Sequence, residues 1–405
     1  MRILMLSREF PPRVVGGTAP HVYDLAQALS GQGVDVRVIT CEHPDAPSEE
    51  QIGSVHVYRI PANTEESDFL TWIHHLNDAM ARQASVLINS LPSDDILIHA
   101  HDWLTAFASK SLKHRYHIPL IATIHATEHG RNHGIYTGIQ RYINSIEWEL
   151  SYESWRIICC SQFIKDEVMY VLGTPSDKID VIPNGVDVSR FDFPFPESER
   201  QEFRGCYAAP YEKIVFTIGR LVHAKGLHVL VEAIPRVLAR YPQVRFIIAG
   251  HGERDPLILR ARELGIADRV SFTGFIDNET RLRLYRVADC AAFPSLYEPF
   301  GIVALEAMAS HLPVVVSDAG GFREIVQHDV TGITTWADNP DSLTWGILEI
   351  LENPQEAHRM AERAYQEVLD RFQWNSIAKE TIRVYQRVLS EYEATGWSKE
   401  RSKVV

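Results

Sequence analysis

Nothing in this sequence approaches eighteen consecutive apolar residues, so no segment is expected to span a membrane. The opening stretch, Met1-Arg2-Ile3-Leu4-Met5-Leu6-Ser7-Arg8-Glu9, holds an apolar run of four, too short for a secretory signal. It reads as a first strand, and a cytoplasmic location is expected. Cysteine is scarce: the five thiols form no C-x-x-C pair, and Cys159 and Cys160 are adjacent. That pattern sets aside a disulfide framework or a zinc site and fits buried, reduced thiols. There is no Lys/Arg block. Acidic residues outnumber basic ones by 53 to 40, on both sides of Arg190, which argues against a nucleic-acid partner. No G-x-G-x-x-G with a later acidic residue follows the first strand, so a nicotinamide dehydrogenase is disfavoured. His125, His129 and His133 sit four apart, but Gly130 and Gly134 interrupt them and no D-x-D pair accompanies them. No metal site is expected there.

What is present is ample apolar content, 45% of 405 residues, enough for two or three cores. Short β-branched runs alternate with helical patterns, the sign of α/β architecture with parallel sheets. Strands are expected at 2–7, 34–40, 55–60, 96–100, 119–124, 156–160 and 179–182, then at 213–219, 244–249, 270–273, 290–293 and 313–316. Val22, Leu25, Ala26 and Leu29 repeat at helical spacing, and Gly31 can end that helix. In the second half helices are expected at 226–240, 254–264, 279–287, 301–310 and 341–351. Residues 183–210 lose periodicity and collect proline, a linker signature. The domains are therefore set at 1–187 and 212–375, with a linker at 188–211. A final helix at 376–405 either packs back on the first domain or ends the second. Two wound domains would place strand C-terminal ends, where such sheets bind ligands, on either side of a cleft.

The residues with chemical promise lie at those strand ends. The strand ending at Phe293 runs through a Pro-containing loop to Glu298, just before Pro299-Phe300-Gly301, where a helix can begin; Glu306 follows with seven residues between. Gly301 allows close backbone approach, and the helix start offers free N–H groups to an anion. The bland reading is a corner with two solvated glutamates. Gly219-Arg220-Leu221 ends an earlier strand and Lys225-Gly226 opens the next helix, two cations able to clasp a diphosphate. Gly250-His251-Gly252 is a third strand-end loop, a weak signal alone. In the first half, Gly16-Gly17 precedes a helix, while Asp102 and His125 stand at neighbouring strand ends. Without further context, Asp102 reads as a helix cap and His125 as a core histidine. The Trp/Tyr-rich stretch at Tyr142, Trp148, Tyr152 and Trp155 suits either sugar stacking or core packing.

Together the segments Glu298-Pro-Phe-Gly-Ile…Glu306, Gly219-Arg220…Lys225-Gly226, His101-Asp102-Trp103, Thr123-Ile-His125 and Pro183-Asn184-Gly185-Val186-Asp187 resemble the retaining glycosyltransferases of family four. The resemblance covers nearly the whole chain and is strongest to the glycogen and starch synthase branch. It implies the α/β GT-B fold, two Rossmann-like domains facing across a cleft, and a hexosyltransferase that uses neither metal nor cofactor. The donor implied is a nucleotide sugar, ADP- or UDP-glucose, and the acceptor an α-1,4-glucan; a lipid or small glycan is the alternative, and an inactive glycan-binding protein a further one. Catalytic roles fall to Asp102, His125, Arg220, Lys225 and Glu298. Donor contacts fall to Gly16, Gly17, Asn184, Arg220, Lys225, Gly250, Gly252, Glu298, Phe300, Gly301, Ile302, Val303 and Glu306. Retention is open to double displacement or same-face attack, and the same-face route is favoured because no nucleophile stands out. The Lys110, Lys113, His114, Arg115 group lacks a clear apolar face and gives little reason for membrane docking. A homo-oligomer is compatible with the sequence.

Overall fold

A computed structural model of the chain describes residues 1–61, 68–90 and 95–401. The strands are β1 (Arg2–Leu6), β2 (Asp35–Cys41), β3 (Glu49–Ile52), β4 (Val55–Ile60), β5 (Ile96–His101), β6 (Leu120–Ile124), β7 (Arg156–Cys159), β8 (Ile179–Val181), β9 (Lys213–Ile218), β10 (Val244–Ala249), β11 (Val270–Gly274), β12 (Cys290–Phe293), β13 (Val314–Ser317) and β14 (Ile333–Thr335). The first-half helices are α1 (Thr18–Ser30), α2 (Phe69–Ser90), α3 (Ala106–Tyr116), α4 (Glu128–Asn132), α5 (Gly138–Glu153) and α6 (Gln162–Leu172). Then come α7 (Glu197–Gly205), α8 (Leu227–Arg240), α9 (Asp255–Glu263), α10 (Asn278–Val287), α11 (Ile302–Ala309), α12 (Phe322–Ile325), α13 (Pro340–Glu352), α14 (Pro354–Arg371), α15 (Trp374–Glu393) and α16 (Gly396–Arg401).

The chain forms two compact units, residues 1–184 with 374–405, and residues 185–373. In the first, eight strands run β3-β4-β2-β1-β5-β6-β7-β8, parallel throughout except for the antiparallel β3–β4 pair. Its central strands are buried on both faces, which is why Ile3-Leu4-Met5-Leu6 reads as one apolar run rather than an alternation. In the second unit six parallel strands run β11-β10-β9-β12-β13-β14. Each order reverses at one place, between β1 and β5 in the first sheet and between β9 and β12 in the second. Outside the strand carboxyl ends at such a reversal, α/β sheets leave a crevice for ligands.

Residues 188–211, expected as a linker, belong to the second unit and hold a short helical turn and α7. Arg204 of α7 donates to the Glu212 carbonyl and to Asp289, so the segment is bound down by charge that a periodicity reading does not register. The C-terminal helical pattern is two helices, interrupted at Phe372 and Gln373. The second of them, α15, packs on α1 and joins the first unit's core through Ile377, Val384, Tyr385, Val388 and Leu389. Burying side chains of this size is worth roughly 1.5–3 kcal/mol each. Among the described residues, no helix is long and apolar enough to cross a membrane.

Candidate functional site

In the second unit the reversal point is built from glycines at which a Cβ would strike a neighbouring atom. Gly226 has φ +62°, and a Cβ there would lie 1.9 Å from the Pro294 carbonyl oxygen. This approach lets the turn before α8 sit against the loop after β12, where the amides of Leu296 and Tyr297 donate to the Ala224 carbonyl. Gly250 (φ +134°) is equally constrained, with its would-be Cβ 1.8 Å from the Gly219 carbonyl oxygen. Gly252 is bridged to Leu221. Gly301 (φ +113°) opens α11 against the ring of Phe322. The three strand-end loops read from the sequence therefore meet as one backbone framework.

Lys225 and Glu298 come together inside it: Lys225 Nζ donates to Glu298 Oε2 at 2.7 Å, and Ser295 Oγ donates to the same oxygen at 2.9 Å. Glu298 is buried, and its Oε1 has no protein donor among the described residues. Arg220 is exposed, and its side chain has no ion-pair partner among the described residues. Glu306 is buried on α11 and engaged twice, by the Arg281 guanidinium and by Tyr285 Oη at 3.0 Å. Burial, with the Glu306 charge adding to it, holds the Tyr285 phenol well above its usual pKa, so it donates as a neutral hydroxyl. Phe300 is buried and packs edge-on to Phe372, while Ile302 and Val303 form the half-buried first turn of α11. The ring of Phe300, assigned to donor contact from the motif, is thus covered by Phe372.

In the first unit the strand ends collect four imidazoles. His21 Nδ1 shares a hydrogen with Asn184 Oδ1 at 2.7 Å, His101 Nδ1 with His125 Nε2 at 3.1 Å, and His99 joins Tyr385 Oη and Thr123 Oγ1, both at 2.7 Å. Burial drives the pKa of His99 and of His125 down to about 3, and lowers those of His21 and His101 well below 6.5, so all four are neutral near pH 7. One nitrogen each from His21, His101 and His125 lies within 4.8 Å of the others, a donor set able to hold a divalent ion. The four-apart spacing of His125, His129 and His133 gave no reason to expect a metal site; the fold brings His125 to histidines 24 and 104 positions away.

Asp102 precedes the short helical turn Trp103–Thr105, but its side chain makes no cap bond there. Its backbone takes φ 59°, ψ 173°, and its Oδ1 accepts from the His125 amide at 2.8 Å. Burial raises its pKa, with Arg131, 3.5 Å away, opposing the rise. Arg131 also lies 3.8 Å from Glu147, which accepts from the Glu128 amide and whose pKa burial pushes up to about 8. Gly16 and Gly17 lead into α1; Glu9 Oε2 accepts from the Val15 and Gly16 amides at 3.0 and 3.1 Å, fixing the loop. Asn184, assigned from the motif to donor binding, stands in the histidine cluster. Sequence reading missed His21, Glu9, Arg131, Glu147, Arg281 and Tyr285. Only His21 carried a signal, a histidine on the buried stripe of α1 one turn before Leu25.

Residues 15–190 match the family model described as Glycosyltransferase Family 4, and residues 200–367 the model for glycosyl transferases group 1. The chain is 39% identical to an uncharacterized glycosyltransferase of Methanocaldococcus jannaschii, over 95% of this chain and 98% of that protein. It is 35% identical to a glycogen synthase of Mycobacterium tuberculosis, over 95% and 94% respectively. Sucrose-phosphate synthase from Thermosynechococcus elongatus has a similar fold, with TM-score 0.80, 23% identity, and 96% and 99% of the two chains covered.

Proposed function

The chain belongs to glycosyltransferase family four, with the GT-B fold and in its glycogen/starch synthase-like branch, and from that membership we propose retaining transfer of a glucosyl unit from a nucleotide-diphosphate sugar to an α-glucan acceptor. The observation that carries the reading is the pairing of half-buried Lys225 with buried Glu298 at the reversal point of the second sheet. In the reaction the bond from the anomeric carbon to the diphosphate oxygen breaks. The acceptor hydroxyl oxygen bonds to that carbon on the same face, and its proton passes to the departing phosphate. Positive charge grows on the sugar and negative charge on the diphosphate.

Arg220, Lys225 and the start of α11 at Gly301 would meet the growing negative charge; one such preorganised group is worth about 3–4 kcal/mol of barrier. Glu298 Oε1 would accept from a sugar hydroxyl, and the lone pairs left on Glu306 from the ribose. Gly250 and Gly252 would let backbone approach the nucleotide. In the first unit, His125 and Asp102 are assigned to the transferred sugar and to the acceptor. Neutral His125 serves as a hydrogen-bond partner rather than an acid. Metal-independence is part of the proposal: Arg220 and Lys225 would supply the positive charge that a metal would otherwise bring to the diphosphate.

The test is incubation with ADP-glucose and UDP-glucose separately, with glycogen, maltooligosaccharide or no acceptor, before and after dialysis against EDTA. Glucan-dependent diphosphate release with chain growth, unchanged by EDTA, is expected. Release without chain growth on any glucan overturns the acceptor, and loss of turnover in EDTA overturns metal-independence.

A further inference from the structure

The three histidines whose nitrogens meet at the strand ends of the first unit come from three separate elements. His21 lies on α1, His101 ends β5 and His125 follows β6. Between ring centroids, His21 stands 4.6 Å from His125 and 5.5 Å from His101, and His101 stands 5.4 Å from His125. His21 and His101 are 5% and 1% exposed, and the Nε2 of each is buried with no hydrogen-bond partner among the described residues. Buried polar atoms are rarely left in that state. At His21 the orphan is a lone pair: Nδ1 faces the acceptor Asn184 Oδ1 at 2.7 Å and must carry the ring's hydrogen. Metal-bound imidazoles have this same outer support, one nitrogen donating to an oxygen while the other binds the ion.

We propose that His21, His101 and His125 form an inhibitory binding site for Zn²⁺, which silences the transferase by taking His125 out of contact with the sugar. An all-imidazole set suits Zn²⁺ and is a poor match for Mg²⁺ or Ca²⁺, which take oxygen ligands. Zinc–nitrogen bonds of about 2.0–2.1 Å set tetrahedral ligand nitrogens about 3.4 Å apart, so three nitrogens within 4.8 Å of one another need close in by only about 1.4 Å at most. The fourth position is left to water. Arg131, the cation facing His125, lies 3.5, 3.8 and 4.0 Å from the carboxylates of Asp102, Glu147 and Glu128, which offset its repulsion of the ion. The inhibitory half rests on the transferase reading above, which puts His125 against the transferred sugar; the binding half does not. Zinc acts as an inhibitor and not as a cofactor, so the metal-free protein is the active form.

The experiment titrates the metal-free protein with Zn²⁺ in calorimetry, and with Co²⁺ followed by its visible absorption. One ion per chain is expected, with the strong visible bands of tetrahedral Co²⁺ and no thiolate charge-transfer band. The competing thiol is Cys160, whose Sγ lies 3.9 Å from the His125 carbonyl oxygen. Asn184→Ala should weaken Zn²⁺ binding about 10–100-fold, and His21→Gln and His101→Gln by about that factor or more, since they remove a ligand outright. His223→Gln, which breaks the stacked His223–His228 pair of the second unit, should leave it unchanged. Zn²⁺ should raise the melting temperature of the wild type but not of His21→Gln. It should also suppress wild-type diphosphate release until EDTA is added. A wild type that binds no Zn²⁺, a thiolate band, or binding lost in His223→Gln and kept in His21→Gln and His101→Gln overturns the site. The cobalt spectrum is taken on the wild type and decides even where a variant fails to fold. Zn²⁺ held by these histidines with turnover undiminished overturns the inhibition, and with it the sugar contact of His125. If neither donor turns over in the metal-free protein, the transferase reading fails on its own account, and calorimetry with the cobalt spectrum still decides the site.

Discussion

Lys225 and Glu298 face each other across 2.7 Å, and under the proposed function they stand beside the departing diphosphate, so removing either should act on rate rather than on folding. Glu298→Ala and Lys225→Ala are each expected to lower kcat by about two to three orders of magnitude, from about 3–4 kcal/mol of lost stabilisation. Circular dichroism should be unchanged, and near-normal turnover in either variant would remove the pair from the site. The imidazole cluster makes a second prediction, on stability. An unfolded histidine titrates near 6.5, but His99 and His125 hold out to about 3 in the fold, from burial first. Between those values the unfolded chain binds more protons. Stability is therefore full above about pH 6.5 and falls as pH drops toward 3, by up to about 1.4 kcal/mol per pH unit per imidazole. Glu147, raised to about 8, works the other way, its contribution being complete below about 4.5 and lost as pH climbs through 8, so it offsets one histidine of the four. Urea titrations at pH 7, 6 and 5 should show a steep decline; a flat profile would refute it.

At the scale of elements, the glycine framework separates two costs that sequence alone cannot. Gly226→Ala adds a Cβ against a backbone oxygen in a left-handed turn, whereas Gly265→Ala, at φ +68°, meets nothing within 4 Å. The second should cost about 1–2 kcal/mol, the left-handed penalty only. The first should cost more and also displace Lys225, weakening nucleotide diphosphate binding in calorimetry; equal melting temperatures would refute this. Most strands were legible because each is a short apolar run closed by turn residues. β3 was not, since Glu49-Glu50-Gln51-Ile52 has no apolar face and is a strand only by pairing with β4 across the turn at Gly53. β14, the three-residue strand Ile333–Thr335 at the edge of the second sheet, was not read either. The strand-end loops around Gly226, Glu298 and Gly301, whose role in a site is proposed, carry local motifs and could be read from the sequence. Partnerships such as His21 with Asn184, 163 positions apart, or Arg281 with Glu306, could not, because no periodicity or charge pattern links residues that only the fold brings together.

For the molecule as a whole, the first unit is discontinuous: the chain leaves it after Asn184 and rejoins it at Trp374. The outgoing and returning segments are tied together where Val186 donates to the Phe372 carbonyl at 2.9 Å. The returning helix completes a core, since Tyr385 is fully buried and its hydroxyl meets His99 beneath the strand ends. Tyr385→Phe leaves His99 Nδ1 without a partner and should cost about 1–3 kcal/mol, read as a lower urea midpoint at constant m-value. An unchanged midpoint would show that the bond is not needed. This threading also orders events on the ribosome. The stretch 185–373 holds all of its own core and can close as soon as it emerges. The earlier-made stretch must wait, with Val22, Leu25 and Leu29 of α1 lacking their cover, until residues 374–393 have cleared the exit tunnel. The half synthesised first is thus the half finished last, and for that interval the nascent chain presents a greasy helix face to whatever holds it.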